Sequence, residues 1–112
     1  MASELTRFRE QWLELSDGQS MCALIHGSVG FLMYLPNNGD AGFTSRNPDY
    51  GGPQGAQIEY ELSNGQRDFY PASWALPIDV LQTAFAYFER EKKPPSLITW
   101  HDDGSDHPGA IA

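Results

Sequence analysis

Cysteine is almost missing from this chain of 112 residues: Cys22 is the one thiol, so no disulfide can form within it. Positive charge is scarce too, with 7 Lys and Arg against 15 Asp and Glu and a net charge of −8. Such a surface repels phosphate and anionic lipid. The few cations are scattered, which argues against a nucleic-acid groove. No apolar run approaches the length of a membrane span. The opening residues, MASELTRFREQW, lack the apolar centre of a secretory leader, so the expected compartment is the cytoplasm. Catalytic signatures are missing as well. There is no HExxH, no nucleophile elbow and no phosphate-binding glycine loop. NNGDAG has turn chemistry without the glycine spacing of a dinucleotide fingerprint. No catalytic residue, metal or cofactor is expected.

What the chain does hold is apolar and aromatic. The hydrophobic fraction is 40%, with six Phe, five Tyr and three Trp. That is enough for a single folded domain over 1–112. Cys22 sits in the apolar run MCALI and reads as a small core residue.

Residues 3–15 predict an N-terminal helix within 1–19. Leu5, Phe8, Trp12 and Leu15 recur on one face at a 3.6 period, with Ser3 as N-cap. This stripe reads as core. Residues 20–26 and 29–35 predict a hairpin around Gly27-Ser28. Its second arm, VGFLMYL, is apolar on both faces, as in a strand covered on each side. Residues 41–45 predict a short edge strand. AQIEYEL, 56–62, alternates between Ala56, Ile58, Tyr60 and Leu62 on one face and Gln57, Glu59 and Glu61 on the other. Asn64-Gly65 signals a second hairpin, whose loop length leaves two registers open. A two-residue loop sets Glu61 opposite Asp68, and a three-residue loop sets it opposite Arg67.

Residues 77–92 predict a helix with Pro77 at its first position and Ile78, Leu81, Phe85 and Phe88 on its apolar face. LITW, 97–100, predicts a last strand, and 104–112 a flexible tail. The sum is an α+β fold: an antiparallel sheet of about five strands with two helices packed on one face.

The longest segment without regular pattern, 36–55, carries Phe43, Arg46 and Tyr50, residue types suited to protein contacts. Asp40, Asp49, Glu59, Glu61, Asp102 and Asp103 offer carboxylates to the Arg and Lys of a partner. With Trp100 they make the candidate partner-binding set, though Trp74 and Trp100 also read as core. His101, Asp102, Asp103, Asp106 and His107 form one cluster able to hold a metal in principle, but their spacing matches no common metal motif.

The pieces GFLMYLPNNGDAGFTSRNPDYGG, IEYELSNGQ, YPASWALPIDV, AYFER and PPSLITW occur in an order that resembles a bacterial polymorphic-toxin immunity protein family, often encoded beside nucleic-acid deaminase toxins. The resemblance spans roughly Met21 to Asp103. It implies an α+β fold, with Trp100 as the matching tryptophan near the C-terminus. It also implies a cognate toxin domain as partner, basic and acting on nucleic acid. The immunity protein would occupy the toxin's active site or substrate groove without catalysis, touching neither nucleic acid nor membrane. Oligomeric state is left open. The alternatives are a small metal-dependent enzyme built on the terminal His/Asp cluster, and an adaptor for a protein unrelated to toxins.

Overall fold

The structure, a computed structural model, describes residues 8–37 and 41–106. Eight strands and one α-helix follow in order: β1 (Phe8–Glu14), β2 (Ser20–His26), β3 (Val29–Leu35), β4 (Phe43–Arg46), β5 (Gln57–Glu61), β6 (Arg67–Pro71), β7 (Leu76–Pro77), α1 (Ile78–Glu91) and β8 (Thr99–Asp102). Short 3-10 turns lie at Ala72–Trp74 and Asp103–Asp106. Six strands form one antiparallel sheet in the order β1-β2-β3-β4-β8, with β7 also pairing β3; β5 and β6 form a separate ribbon.

The β2–β3 hairpin is the centre. Its two-residue turn at Gly27-Ser28 sets His26 opposite Val29, and the register runs unbroken to Ser20 opposite Leu35. Both faces are apolar, and each takes a cover. Met21, Ala23, Ile25, Leu32 and Tyr34 face α1, which contributes Leu81, Ala84, Phe85 and Phe88. Cys22, Leu24 and Phe31 face the β5–β6 ribbon, which contributes Tyr60 with Ile58 and Tyr70 at its edge. Phe31 is the hub of that layer. Its ring centre lies 4.6 Å from Tyr70, 5.2 Å from Tyr60 and 5.5 Å from Trp74. Gly30 belongs to the face under α1, where a methyl group would sit 2.8 Å from Leu81 Cδ1 and 2.4 Å from the Leu24 carbonyl oxygen. Only hydrogen fits there.

The N-terminal segment corrects the expectation. Residues 8–14 are a strand, not a helix, and α1 is the only α-helix among the described residues. FREQWLE also alternates at period two. Phe8, Glu10 and Trp12 pair with His26, Leu24 and Cys22, while Leu13 pairs with Met21 on the α1 side. The bare edge of β2 offers a full ladder of hydrogen bonds, and that tertiary gain outweighs helical periodicity. Trp12 is consequently not core: it is 47% exposed.

The second hairpin adopts the three-residue loop. Leu62 N donates to Gln66 O at 2.8 Å, Gly65 holds φ +89°, and Glu61 lies opposite Arg67. The α1 prediction holds closely. Pro77 is the N-cap, one position before the helix, and Lys92 ends it at φ 58° with its N–H on Phe88 O. The last strand is shifted two residues later than expected, because Thr99–Asp102 pairs with Arg46–Phe43.

One hydroxyl joins the sheet where β4 leaves β3 and β7 takes its place. Beyond the Met33–Thr44 pair, Leu32 N donates to Ser45 Oγ at 3.0 Å, and that hydroxyl donates to Trp74 O at 3.0 Å. Ser45 is 0% exposed. Ser45→Ala would strand a buried N–H and a buried C=O, at about 2–4 kcal/mol for the two. Urea denaturation of the variant should show that loss with an unchanged m-value; a loss below about 0.5 kcal/mol would remove this bond from any structural role.

Candidate functional site

β4 and β8 lie side by side, and the sequence candidates divide around them. Phe43 is opposite Asp102, Thr44 opposite His101, and Arg46 opposite Thr99. Asp49 and Tyr50 follow β4 directly in a loop bonded to the framework. Asn47 N donates to Ser73 O at 2.8 Å, Asn47 Nδ2 to Ala75 O at 3.0 Å, and Asp49 N to Asn47 Oδ1 at 2.9 Å. Phe43, Arg46, Asp49, Tyr50, Trp100, Asp102 and Asp103 thus lie along the β4–β8 side of the sheet, with Phe43, Asp102 and Asp103 toward one end of that ladder and Arg46, Asp49 and Tyr50 toward the other. Glu59 and Glu61 do not join them, being on the β5–β6 ribbon over β2. Asp40 lies outside the described residues.

Several of these side chains already have internal work. Phe43 and Trp100 pack against the α1-side core, each ring about 6 Å from Tyr34, and Trp100 Nε1 donates to Pro95 O at 3.1 Å. Tyr50 folds back, its hydroxyl donating to Pro53 O at 2.8 Å. The Arg46 guanidinium lies 4.2 Å over Trp74 and donates to Thr44 Oγ1 and Ser45 O, each at 2.9 Å. Arg67 holds both ribbon carboxylates, Glu61 at 2.9 Å and Glu59 at 3.4 Å, and lies over the Phe8 ring.

The terminal His/Asp cluster is not gathered as a ligand set. Asp102 Oδ1 accepts from Gly104 N at 3.0 Å. Asp103 Oδ1 accepts from Thr44 Oγ1 at 3.0 Å and lies 4.0 Å from His101 Nε2. Among the described residues no three His, Cys, Asp or Glu side chains converge on a common point. His107 lies outside them. The Thr44, Asp103 and His101 chain has the wrong order for a hydrolytic triad, in which the imidazole stands between hydroxyl and carboxylate. Cys22 is 1% exposed, and burial pushes its thiol up to about 12, far from a nucleophilic thiolate.

Two openings border the loop that follows β4. One, of about 660 Å³, lies between Tyr50–Ala56 and Pro71. The other, of about 350 Å³, is floored by Leu76, Val80 and Ile98 and rimmed by Arg46, Asp49 and Leu97. Leu97 is 54% exposed, and with Trp12 and Phe69 it completes the large exposed hydrophobics among the described residues. The sequence reading passed over all three as anchors. Leu97 and Trp12 were assigned to elements whose bounds or type changed, and Phe69 becomes outward-facing only once the three-residue loop is fixed.

No family model matches this chain, and no curated protein matches it. No helix among the described residues is long and apolar enough to cross a membrane. The groove beside β4 presents a firm loop, an apolar floor and an exposed leucine beside a carboxylate.

Glu10 illustrates how the chain uses its acids internally. Its carboxylate accepts from Ser63 N at 2.8 Å and from the Trp12 indole, tying β1 to the ribbon. These two donors, Ser63 first, hold the Glu10 carboxyl below the usual carboxylate range. A depressed pKa in the folded state gives stability that is complete above the unfolded value near 4.5 and lost as pH falls through the folded value. Glu10→Gln should therefore lie below the wild type at about pH 7, with the gap closing towards about pH 3 in chemical denaturation. A gap of equal size at both ends would show that this carboxylate's ionisation adds nothing.

Proposed function

We propose that the protein works by stoichiometric binding, as an immunity protein that neutralises a cognate toxin domain acting on nucleic acid. It does so by covering the toxin's active site or substrate groove. The observation that carries the reading is the groove beside β4 and β8, which lies between Arg46–Asp49, Leu76 with Val80, and Leu97–Thr99. It combines an apolar floor with an exposed anchor, Leu97, and a carboxylate rim at Asp49. The net charge of −8 gives it a partner preference. A domain that handles DNA or RNA needs a positive surface, and a negative protein can occupy that surface in place of phosphate. The order of sequence pieces from Met21 to Asp103 points the same way by family resemblance. On this reading the protein is a cytoplasmic inhibitor without catalytic turnover.

The test is co-expression with the toxin domain encoded beside the gene, read as survival and as a one-to-one complex on purification. Rescue with a stable complex supports the reading, and neither rescue nor complex overturns it. Within the complex, Leu97→Asp should weaken binding at least about tenfold by burying an unpaired charge in the groove. Asp49→Lys should act mainly on the association rate and flatten its salt dependence. Surface plasmon resonance separates the two. Wild-type rates in both variants would move the interface away from this groove.

A further inference from the structure

The opposite edge of the sheet carries a second surface. Among the described residues strand β1 pairs only with β2, over seven consecutive residues without a bulge, a proline or a lysine. Of the usual devices that stop a strand edge from accepting another chain it keeps charged side chains alone, at Arg9, Glu10 and Glu14, which select the charge of what can pair there. Which groups it leaves open follows from the turn after it. Leu15 N donates to Gln19 O at 2.8 Å, so Leu15 and Gln19 occupy a hydrogen-bonded position. Alternation in an antiparallel ladder then turns the backbone of residues 9, 11 and 13 toward β2. The N–H and C=O of Phe8, Glu10, Trp12 and Glu14 point away from the sheet. Among the described residues they have no backbone partner.

All four of these residues place their side chains on the ribbon side. A strand laid against them would set its own bonded residues opposite Phe8, Glu10, Trp12 and Glu14. Two of those positions are carboxylates and two are aromatic. Trp12 is 47% exposed, and beyond it the edge runs into a groove of about 410 Å³ lined by Trp12, Glu14, Gly18, Gln19 and Leu35. The neighbouring charges are Arg9 on the α1 face, Asp17 in the turn with Lys92 near it, and Arg67, which is paired with Glu59 and Glu61. A second copy of this chain would bring another net charge of −8, so like charge opposes its approach.

We propose that the outer edge of β1 is a strand-addition site for a basic extended segment of another protein. The segment carries Lys or Arg opposite Glu10 and Glu14, and apolar side chains opposite Phe8 and Trp12. Its bonded positions therefore alternate basic and apolar at every second residue. This surface stands apart from the β4–β8 groove, and its test does not use the toxin.

The probe is a nine-residue capped peptide with alternating lysine and leucine at every second position and threonine between, titrated into isotopically labelled protein by NMR. Binding should be saturable, with amide shifts and exchange protection concentrated at Phe8, Glu10, Trp12 and Glu14. It should weaken at least about threefold between about 50 and 300 mM salt. The same peptide N-methylated on its bonding amides keeps its charge and should lose binding at least about tenfold. Trp12→Ala should weaken binding about tenfold, and Trp12→Pro further, because proline there removes an outward N–H and leaves the β1–β2 ladder intact. Glu14→Pro, compared with Glu14→Ala, repeats that backbone test at a second position. No peptide binding, equal binding of the N-methylated peptide, or shifts centred elsewhere would overturn the proposal. So would self-association of the free protein through the same four amides, since the edge would then belong to a second copy.

Discussion

A hairpin that is apolar on both faces cannot face water on either. That single constraint, set by SMCALIH and VGFLMYL, organises the rest of the fold. One cover is α1, whose stripe of Leu81, Ala84, Phe85 and Phe88 fits over Ala23 and Leu32. The other is the β5–β6 ribbon, which closes over Phe31 with two tyrosines. Gly30 lets the helix approach closely. Ser45 closes the seam that arises because β3 has more edge than β4 alone can fill. Its hydroxyl replaces a ladder bond that the backbone cannot make, since β4 turns aside there toward β8 and the loop at Asn47.

With both faces spent on core, exposed binding surface is left at the two sheet edges, the outer face of the ribbon and the loops between layers. This explains the division among the aromatic residues. Phe43, Trp100 and Tyr50 have contact-forming chemistry, but their rings complete packing or loop structure. Among the described residues the large hydrophobics left outward are Leu97 ahead of β8, Trp12 on the edge strand and Phe69 on the outer face of the ribbon. Their exposure is a consequence of topology, not of local sequence.

That distinction sets what was legible from sequence. The central hairpin, the double cover, the alternation in β5 and the span of α1 are written in local periodicity, and the structure follows them. The N-terminal strand was misread because Leu5, Phe8, Trp12 and Leu15 satisfy a helical period while FREQWLE also satisfies a period of two. Only the unfilled edge of β2 decides between them, and that edge is a tertiary fact. The ribbon register was open for a similar reason: Asn64-Gly65 marks a turn without fixing its length. The choice falls to the pairing of Glu61 with Arg67 in place of Asp68. The count of carboxylates was legible, but not their partners. Glu59 and Glu61 looked available until Arg67 was found between them.

The cations deepen the charge argument. Arg46 is stacked on Trp74, Arg67 is shared by two glutamates, and Arg90 is paired with Glu91 at the far end of α1. Lys92 and Lys93 lie at that same helix end, where positive charge complements the dipole. Apart from Arg9 on β1, the positive charge of the described residues is thus consumed locally or gathered at one corner. Among the described residues the exposed acids Glu14 and Asp49 are in no salt bridge, whereas Asp17 lies within reach of Lys92 across the β1–β2 turn. The field is therefore polarised: negative across the strand edges and the β4 loop, relieved at the helix C-terminus. The two grooves sit differently in that field. The Leu97 groove lies at the start of α1, the end opposite the lysines, with Asp49 on its rim, whereas the groove beyond Trp12 is lined by Gln19, which donates to Lys92 O at 2.9 Å, so its negative charge comes from Glu10 and Glu14 along the strand.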